Sequence, residues 1–229
     1  MTDNQKFIYR TMAAGITACA PKITLPLSPM NEALLVFEHV LLDNPLLFYT
    51  SSFRLERDLG KGKCFMRPDY QCKPGFVRQT TRTVLDSLHV FNAVKADADI
   101  GKIRRVHDWC VDNLQYDDSP GNYSYSVLGP VLNRMAVCEG IAKFAKLSLD
   151  YLGVRNFVAR GKVKSPLDGS VLENHAWNVA AIGGALRHFD VTFDLAMNGQ
   201  ASRHDYFNLS DAEIKKDHLI VSDVKKGWV

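Results

Sequence analysis

A change of hydrophobic period at Gly153 constrains the fold of this chain more than any other feature. Before Gly153, apolar residues from Ile141 to Leu152 recur at three- and four-residue steps, which predicts an amphipathic helix with Cys138 in its first turn. After Gly153, the pattern predicts three strands, at residues 157–163, 172–182 and 185–193, with a turn at 165–169. One helix packed on an antiparallel meander predicts an α+β fold.

The upstream sequence predicts a mixture of elements. Helices are expected at 31–42, 84–94 and 100–114, a strand at 46–57, an irregular or strand-like segment at 7–27, and a turn-rich segment at 60–75. We assign residues 1–95 to an N-terminal helical and strand subdomain packed on a core of residues 96–229, within one continuous globular unit.

Composition excludes several classes of partner. The chain has 229 residues, of which 46% are hydrophobic, and a formal net charge of only +3, so neither nucleic acid nor a membrane surface is expected as a partner. No apolar stretch approaches the roughly 20 residues of a membrane span. Five cysteines without paired spacing argue against a disulfide framework or a zinc site. We therefore expect a cytoplasmic protein without metal or cofactor, and the sequence leaves its oligomeric state open.

Cys138 is the candidate nucleophile. At the start of a helix, free backbone N–H groups and the helix dipole favour an anion, here the thiolate. The alternative is that Cys138 is a small buried apolar residue, as many isolated cysteines are.

A tight hairpin at Gly183-Gly184 relates His175 to Asp190. A two-residue loop places Ile182 opposite Ala185 and makes His175 and Asp190 diagonal neighbours on one face, about 7–8 Å apart at the backbone. A four-residue loop places the pair directly opposite each other, whereas a three-residue loop puts Asp190 on the other face.

Cys138, His175 and Asp190 together have the composition of a catalytic triad. The thiol needs a base, and the base needs a carboxylate that fixes its tautomer, while the Cys138 N–H can bind an oxyanion. His188 and Thr192 are candidates for supporting positions beside the pair. The alternatives are that His175 has only a structural role, or that a divalent ion is held by His188, Asp190, Asp194 and His204.

Three motifs in this order resemble the transglutaminase-like cysteine enzymes, a papain-like superfamily, in their bacterial form. They are Val-Cys-Glu-Gly at 137–140, His-Ala-Trp-Asn at 175–178 and Asp-Val-Thr-Phe at 190–193. The resemblance extends over residues 31–220, through the segments 43–49, 106–109, 116–117, 205–208 and 217–218.

The resemblance implies that Cys138 is the nucleophile, His175 the general base and acid, and Asp190 the orienting carboxylate of a papain-like catalytic core at 96–229. It implies a peptidase or amidase that acts on peptide or protein substrates, because the chain lacks the additional β domains of the animal crosslinking enzymes. A crosslinking transglutaminase and a non-catalytic module that binds peptides or proteins are the alternatives.

Two further residues are predicted to contribute to the substrate site. Trp177 is expected to pack over the His175–Asp190 pair and exclude water. Bacterial members often have Tyr about ten residues before the nucleophile, where this chain has Leu128, so Tyr125 or Tyr123 is expected to replace that group.

Overall fold

The chain folds into two units, residues 1–83 and residues 84–229. The structure is a computed structural model that describes residues 1–164, 170–196 and 204–220, without the side chains of residues 171–173 and 196. Among these residues, no helix has the length and apolar character needed to cross a membrane. The turn expected at 165–169 lies outside the described residues, and the assignment of residues 1–95 and 96–229 to separate parts stays a prediction.

The first unit combines helices with a three-stranded antiparallel sheet of order β1-β3-β2. Its elements are α1 (Asp3–Thr17), β1 (Ile23–Pro26), α2 (Met30–Asp43), β2 (Thr50–Asp58), β3 (Lys63–Tyr70) and the start of α3 (Pro74–Ser87). Helix α2 confirms the helix predicted at 31–42, and its buried residues include Val36, Phe37 and Val40. These side chains belong to one apolar core with residues of α1 and β3.

The expectation of an irregular or strand-like segment at 7–27 is wrong for its first half, which is α1. The helix buries Ile8, Met12 and Ile16 at four-residue steps, and a capping box formed by Thr2 and Gln5 fixes its start. Apolar residues outside this buried row, such as the exposed Phe7 and the neighbouring Ala13 and Ala14, weaken the helical period in the sequence. Only β1 has the strand conformation that was expected.

The turn-rich segment expected at 60–75 is also wrong, because it contains β3, the central strand of this sheet. Pro68 favoured a turn, since proline cannot donate a backbone hydrogen bond within a sheet. Strand β1 pairs only with residues 63–66, so Pro68 lies beyond the end of β1 and needs no donor on that side.

The second unit contains the remaining helices and the larger sheet. After α3 come a 3₁₀ helix (Leu88–Val94), α4 (Asp99–Asn113), β4 (Gln115–Tyr116), a π-helical turn (Gly129–Asn133), β5 (Met135–Ala136), α5 (Cys138–Tyr151), β6 (Asn156–Lys164), β7 (Val171–Ile182), β8 (Ala185–Phe189), α6 (Val191–Ala196), β9 (Phe207–Leu209), α7 (Asp211–Ile214) and β10 (His218–Ile220). The helices predicted at 100–114 and at 138–152 are confirmed as α4 and α5.

The large sheet is antiparallel, with strand order β10-β6-β7-β8-β9. Its β7–β8 hairpin confirms the two-residue loop, because Ile182 pairs with Ala185 and both loop glycines have positive φ, 57° at Gly183 and 83° at Gly184. Helix α5 packs against β6 and β7, which gives the predicted α+β arrangement of a helix on an antiparallel sheet.

The strand predicted at 185–193 is wrong in its second half. Strand β8 ends at Phe189, and α6 begins at Val191. The Asp190 carboxylate caps this helix, because its Oδ1 accepts hydrogen bonds from the backbone N–H groups of Thr192 and Phe193 at 3.0 and 3.2 Å. Local capping therefore overrides the β-branched pattern that predicted a longer strand.

Candidate active site

Cys138 is the first residue of α5, and its side chain is partly exposed. No side chain caps this helix start among the described residues. The backbone here is tightly packed, since a Cβ atom on Gly140 would lie 2.2 Å from the Ser124 carbonyl oxygen, which also accepts a hydrogen bond from Val137 N–H. Glycine at this position therefore lets the preceding loop approach the start of α5 closely.

Glu139 fixes the first turn of α5 to its surroundings. Its carboxylate accepts hydrogen bonds from Lys143 at 2.6 Å and from Arg160 of β6 at 3.0 Å, and Lys143 also donates to the Tyr125 carbonyl at 3.1 Å. Burial alone would raise the pKa of Glu139, but Lys143 and Arg160 outweigh it and lower that pKa. A second contact joins the helix to β7, where the Asn178 amide donates to the Ala142 carbonyl at 2.9 Å.

The structure brings His175 and Asp190 into direct contact. His175 Nε2 lies 2.6 Å from Asp190 Oδ2, and both side chains are almost completely buried. The contact arises differently from the predicted cross-strand pair, because His175 is on β7 whereas Asp190 lies in the turn between β8 and α6. Proximity was predicted correctly, but its geometric basis was not.

Cys138 lies close enough to His175 to contribute to the raised pKa of its imidazole. Since His175 Nε2 is paired with Asp190, Nδ1 is the ring nitrogen left for the sulfur. Cys138 at the start of α5 and Asp190 at the start of α6 thus both lie beside His175. Their catalytic roles stay a prediction.

The electrostatics of the pair favour the ionised forms. Burial would lower the pKa of His175, but the charge of the Asp190 carboxylate, the hydrogen bond that His175 donates to it and the nearby Cys138 outweigh burial and raise that pKa to about 10. Burial would raise the pKa of Asp190, yet attraction and hydrogen bonds from His175 and His218 hold it far below its usual range. At neutral pH the two groups form an imidazolium–carboxylate pair.

His218 contacts Asp190 directly, although the sequence pattern indicates no role for it. His218 Nε2 lies 2.9 Å from Asp190 Oδ2, and its Nδ1 lies 2.6 Å from Asp217 Oδ1. The Tyr206 hydroxyl donates to the other Asp217 oxygen at 2.6 Å. Residues 217–218 were part of the resemblance, but only the pairing of β10 with β6 shows that they reach the site.

Trp177 is buried beneath the site, with 1% of its surface exposed. Its indole stacks with the His175 ring, at 6.0 Å between centroids and 17° between planes. The indole N–H donates to His188 Nδ1 at 2.9 Å, and His188 Nε2 lies 2.9 Å from Asp211. Burial lowers the pKa of His188 despite the opposing influence of Asp211, which suits a neutral ring that accepts from Trp177.

A cleft of about 720 Å³ opens beside Cys138. It is lined by Tyr116, Asp117, Asp118, Pro120, Tyr125, Val137, Cys138, Lys162 and Asn174. Tyr125 is 54% exposed and lines the cleft, whereas Leu128 is 1% exposed and belongs to the core. Substrate contact by Tyr125 or Trp177 stays a prediction.

Two clusters of described residues have ligand atoms that lie within 4.8 Å of one another and could hold a metal ion: His175 with Asp190 and His218, and His107 with Asp108 and His204. Two ligand atoms on one tetrahedral zinc ion, each at about 2.0–2.1 Å, lie about 3.3 Å apart. The contacts to Asp190 are 2.6 and 2.9 Å, and His204 lies 2.7 Å from Asp108, which are hydrogen-bond distances.

The alternative cation site, formed by His188, Asp190, Asp194 and His204, is not assembled in the structure. His188 pairs with Asp211, Asp194 with His107 at 2.8 Å, and His204 with Asp108.

No protein-family model matches the chain, and no curated protein matches it. A solved crystal structure of a TGase is similar to it at a TM-score of 0.40 and 13% identity, over 89% of this chain and 56% of that one. The structure of a candidate cysteine protease from Cytophaga hutchinsonii is similar at a TM-score of 0.32 and 16% identity, over 62% and 61%. The chain thus spans less than two thirds of either protein, and neither similarity assigns a family or an activity.

Proposed function

We propose that this chain is a transglutaminase-like cysteine enzyme that hydrolyses amide bonds in peptides or proteins. The observation that carries the proposal is the 2.6 Å pairing of His175 with Asp190 beside Cys138, which lines an open cleft. The order of the three motifs around these residues supports the same assignment. A nucleophile, a base and an orienting carboxylate are the groups that acyl transfer requires.

In the proposed reaction, Cys138 Sγ attacks the substrate carbonyl carbon as a thiolate, and the carbonyl electrons move to oxygen. When the tetrahedral intermediate collapses, the C–N bond breaks and the His175 imidazolium gives its proton to the leaving amine. A thioester then joins the acyl group to Cys138. Water attacks this thioester, His175 accepts the proton from water, and release of the acid regenerates the thiolate and imidazolium.

Two features support stabilisation of this chemistry by the protein. The buried Asp190 carboxylate stabilises the imidazolium and holds its ring in place. The Cys138 N–H at the start of α5 can donate to the oxyanion, aided by the positive end of the helix dipole. Because Leu128 is buried, a cleft residue such as Tyr125 is the candidate for a second oxyanion donor.

Water is the proposed acyl acceptor because polar side chains line the cleft. Asp118, Lys162 and Asn174 are all exposed there and keep the cleft hydrated. The hydrogen bond from Ser124 lowers the pKa of Asp117, which adds a carboxylate to the same wall.

The decisive experiment is mass spectrometry of peptide libraries incubated with the protein, with and without primary amines. Hydrolysis predicts cleaved or deamidated peptides, which disappear in Cys138→Ala and persist in Cys72→Ala, a matched change at another partly buried free cysteine. Amine incorporation would instead identify a transglutaminase. Peptide binding without any covalent product would identify a binding module and contradict the proposal.

A further inference from the structure

We propose that His218 is a positioning residue of this site, which acts on the Cys138–His175 pair through Asp190. The inference rests on the proposed function. It starts from a shared atom, because Asp190 Oδ2 is paired with both His175 Nε2 at 2.6 Å and His218 Nε2 at 2.9 Å.

The Asp190 carboxylate is restrained at both of its oxygens. Backbone N–H groups of Thr192 and Phe193 donate to Oδ1, while the two histidines occupy Oδ2. Asp190 is completely buried, so these groups are its partners in place of water. Without His218, Oδ2 would keep one partner, and the carboxylate could tilt about its Oδ1 contacts and move the His175 ring with it.

His218 is itself held in a fixed orientation. Its Nδ1 lies 2.6 Å from Asp217 Oδ1, and the Tyr206 hydroxyl fixes the other oxygen of Asp217 at 2.6 Å. The ring packs edge-on against Trp177, at 5.0 Å between centroids and 74° between planes. His218 is 0% exposed and belongs to β10, where it pairs with Val163 of β6. The restraint on Asp190 therefore comes from a separate strand of the sheet.

The contact has a chemical consequence beyond packing. His218 donates to the same oxygen that stabilises the His175 imidazolium, and its hydrogen bond contributes to the low pKa of Asp190. A charge-assisted hydrogen bond of this kind orients the acceptor as well as stabilising it. Its loss is expected to slow acylation while leaving the cleft unchanged, so kcat falls and KM does not.

The test compares His218→Leu with His218→Gln, whose amide N–H can still donate to Asp190. Hydrolysis of p-nitrophenyl acetate serves as a probe, because it needs an activated thiol and no peptide specificity. We expect kcat to fall about 10-fold in His218→Leu with KM within twofold, and the Gln variant to recover most of the loss. His89→Leu, at an exposed histidine of the same unit, is the matched control and should match the wild type.

Equal kcat in the wild type and a folded His218→Leu would overturn the inference, as would failure of His218→Gln to recover activity. If His218→Leu does not fold, Asp217→Asn takes its place in the test. This change removes the carboxylate charge beside His218 Nδ1, and Asp217 is partly exposed. This variant should lower kcat about threefold, and an unchanged kcat would again count against the inference.

A second readout separates this inference from the proposed function. The proton in the 2.6 Å hydrogen bond between His175 and Asp190 should give a downfield NMR signal that is slow to exchange with water. We expect the signal to broaden or vanish in His218→Leu and to persist in His218→Gln, whether or not Cys138 is reactive. An inert wild-type Cys138 with this NMR pattern would contradict only the proposed function, whereas an unchanged signal in His218→Leu would contradict the positioning role.

Discussion

His175 and Asp190 meet at 2.6 Å although they belong to different kinds of local structure. His175 lies within β7, and Asp190 caps α6 just after β8 ends. The sheet positions the base, and a helix start positions the carboxylate. This division makes the ion pair depend on the β7–β8 hairpin and on the first turn of α6 together.

The ion pair predicts a pH dependence of activity. His175 must carry a proton to protonate the leaving amine, and its pKa is raised to about 10, so the wild type should lose activity only as the pH approaches that value. In Asp190→Asn the imidazolium loses its counter-ion. The pH at which activity falls on the alkaline side should therefore move down towards the ordinary histidine pKa of 6.5. A pH–rate profile measures this shift. Asp108→Asn, which removes a carboxylate from another histidine pair, should leave the limb in place.

The same pair predicts a pH dependence of stability. Because the pKa of His175 is higher in the folded state than its ordinary 6.5, its contribution is complete below about pH 6.5 and is lost as the pH rises through about 10. The low pKa of Asp190 acts in the opposite direction, with stability present above the usual carboxyl pKa and lost only in strong acid. Urea unfolding between pH 6 and 10 should show a decline in the wild type that is much smaller in His175→Gln. Parallel curves would refute this assignment.

Gly140→Ala is predicted to destabilise the start of α5. The added Cβ would lie 2.2 Å from the Ser124 carbonyl oxygen, so the backbone of the loop must move. We expect a loss of about 1–3 kcal/mol in the free energy of unfolding, measured by urea denaturation. Gly101→Ala is the control within α4, where the nearest atom is 3.5 Å away and alanine should be neutral or stabilising. Equal effects of the two changes would show that the close approach at Gly140 does not matter.

Trp177→Phe is predicted to destabilise the protein at the buried contact between Trp177 and His188. The variant keeps a ring but removes the N–H that donates to the buried His188 Nδ1, so a buried acceptor loses its partner. The expected cost is about 1–3 kcal/mol in the free energy of unfolding. Tyr151→Phe removes an exposed donor to Asn92 and should cost less than about 0.5 kcal/mol. Urea titrations of both variants test whether losing the buried hydrogen bond costs more than losing the exposed one, and equal costs would contradict the prediction.

Metal removal is predicted to leave the activity unchanged. The nitrogen–oxygen distances around Asp190 suit hydrogen bonds and are shorter than the roughly 3.3 Å expected between two ligands of one tetrahedral ion. Dialysis against EDTA, followed by the p-nitrophenyl acetate assay, checks this directly. If activity is lost on dialysis and restored by a divalent ion, the residues around Asp190 form a metal centre, and the prediction is wrong.

Local signals in the sequence were sufficient to predict several helices and strands. Helices α4 and α5 have clear apolar periods, and Gly183-Gly184 specifies the hairpin that fixes the register of β7 and β8. The same signals failed where a competing local interaction decided the backbone. The Asp190 carboxylate ends β8 by capping α6, although Val191 and Thr192 favour a strand.

Long-range pairing accounts for the rest of what was missed. His218 reaches Asp190 because the edge strand β10 pairs with β6, and β6 pairs in turn with β7, the strand of His175. Nothing in the residues around His218 encodes that neighbour, so the sequence predicted the proximity of His175 and Asp190 and assigned no role to His218. The same limit applies to β3, whose central position comes from pairing with both β1 and β2.

Alkylation by iodoacetamide at pH 6 tests most directly whether His175 activates Cys138 as a nucleophile. Peptide mass spectrometry would follow the labelling rates of Cys138 and Cys72, both partly exposed. At this pH an ordinary thiol is less than about 1% ionised, so a thiolate held by the His175 imidazolium should react more than about 10-fold faster than Cys72. The advantage should disappear in His175→Gln. Equal rates at the two cysteines in the wild type would contradict the account.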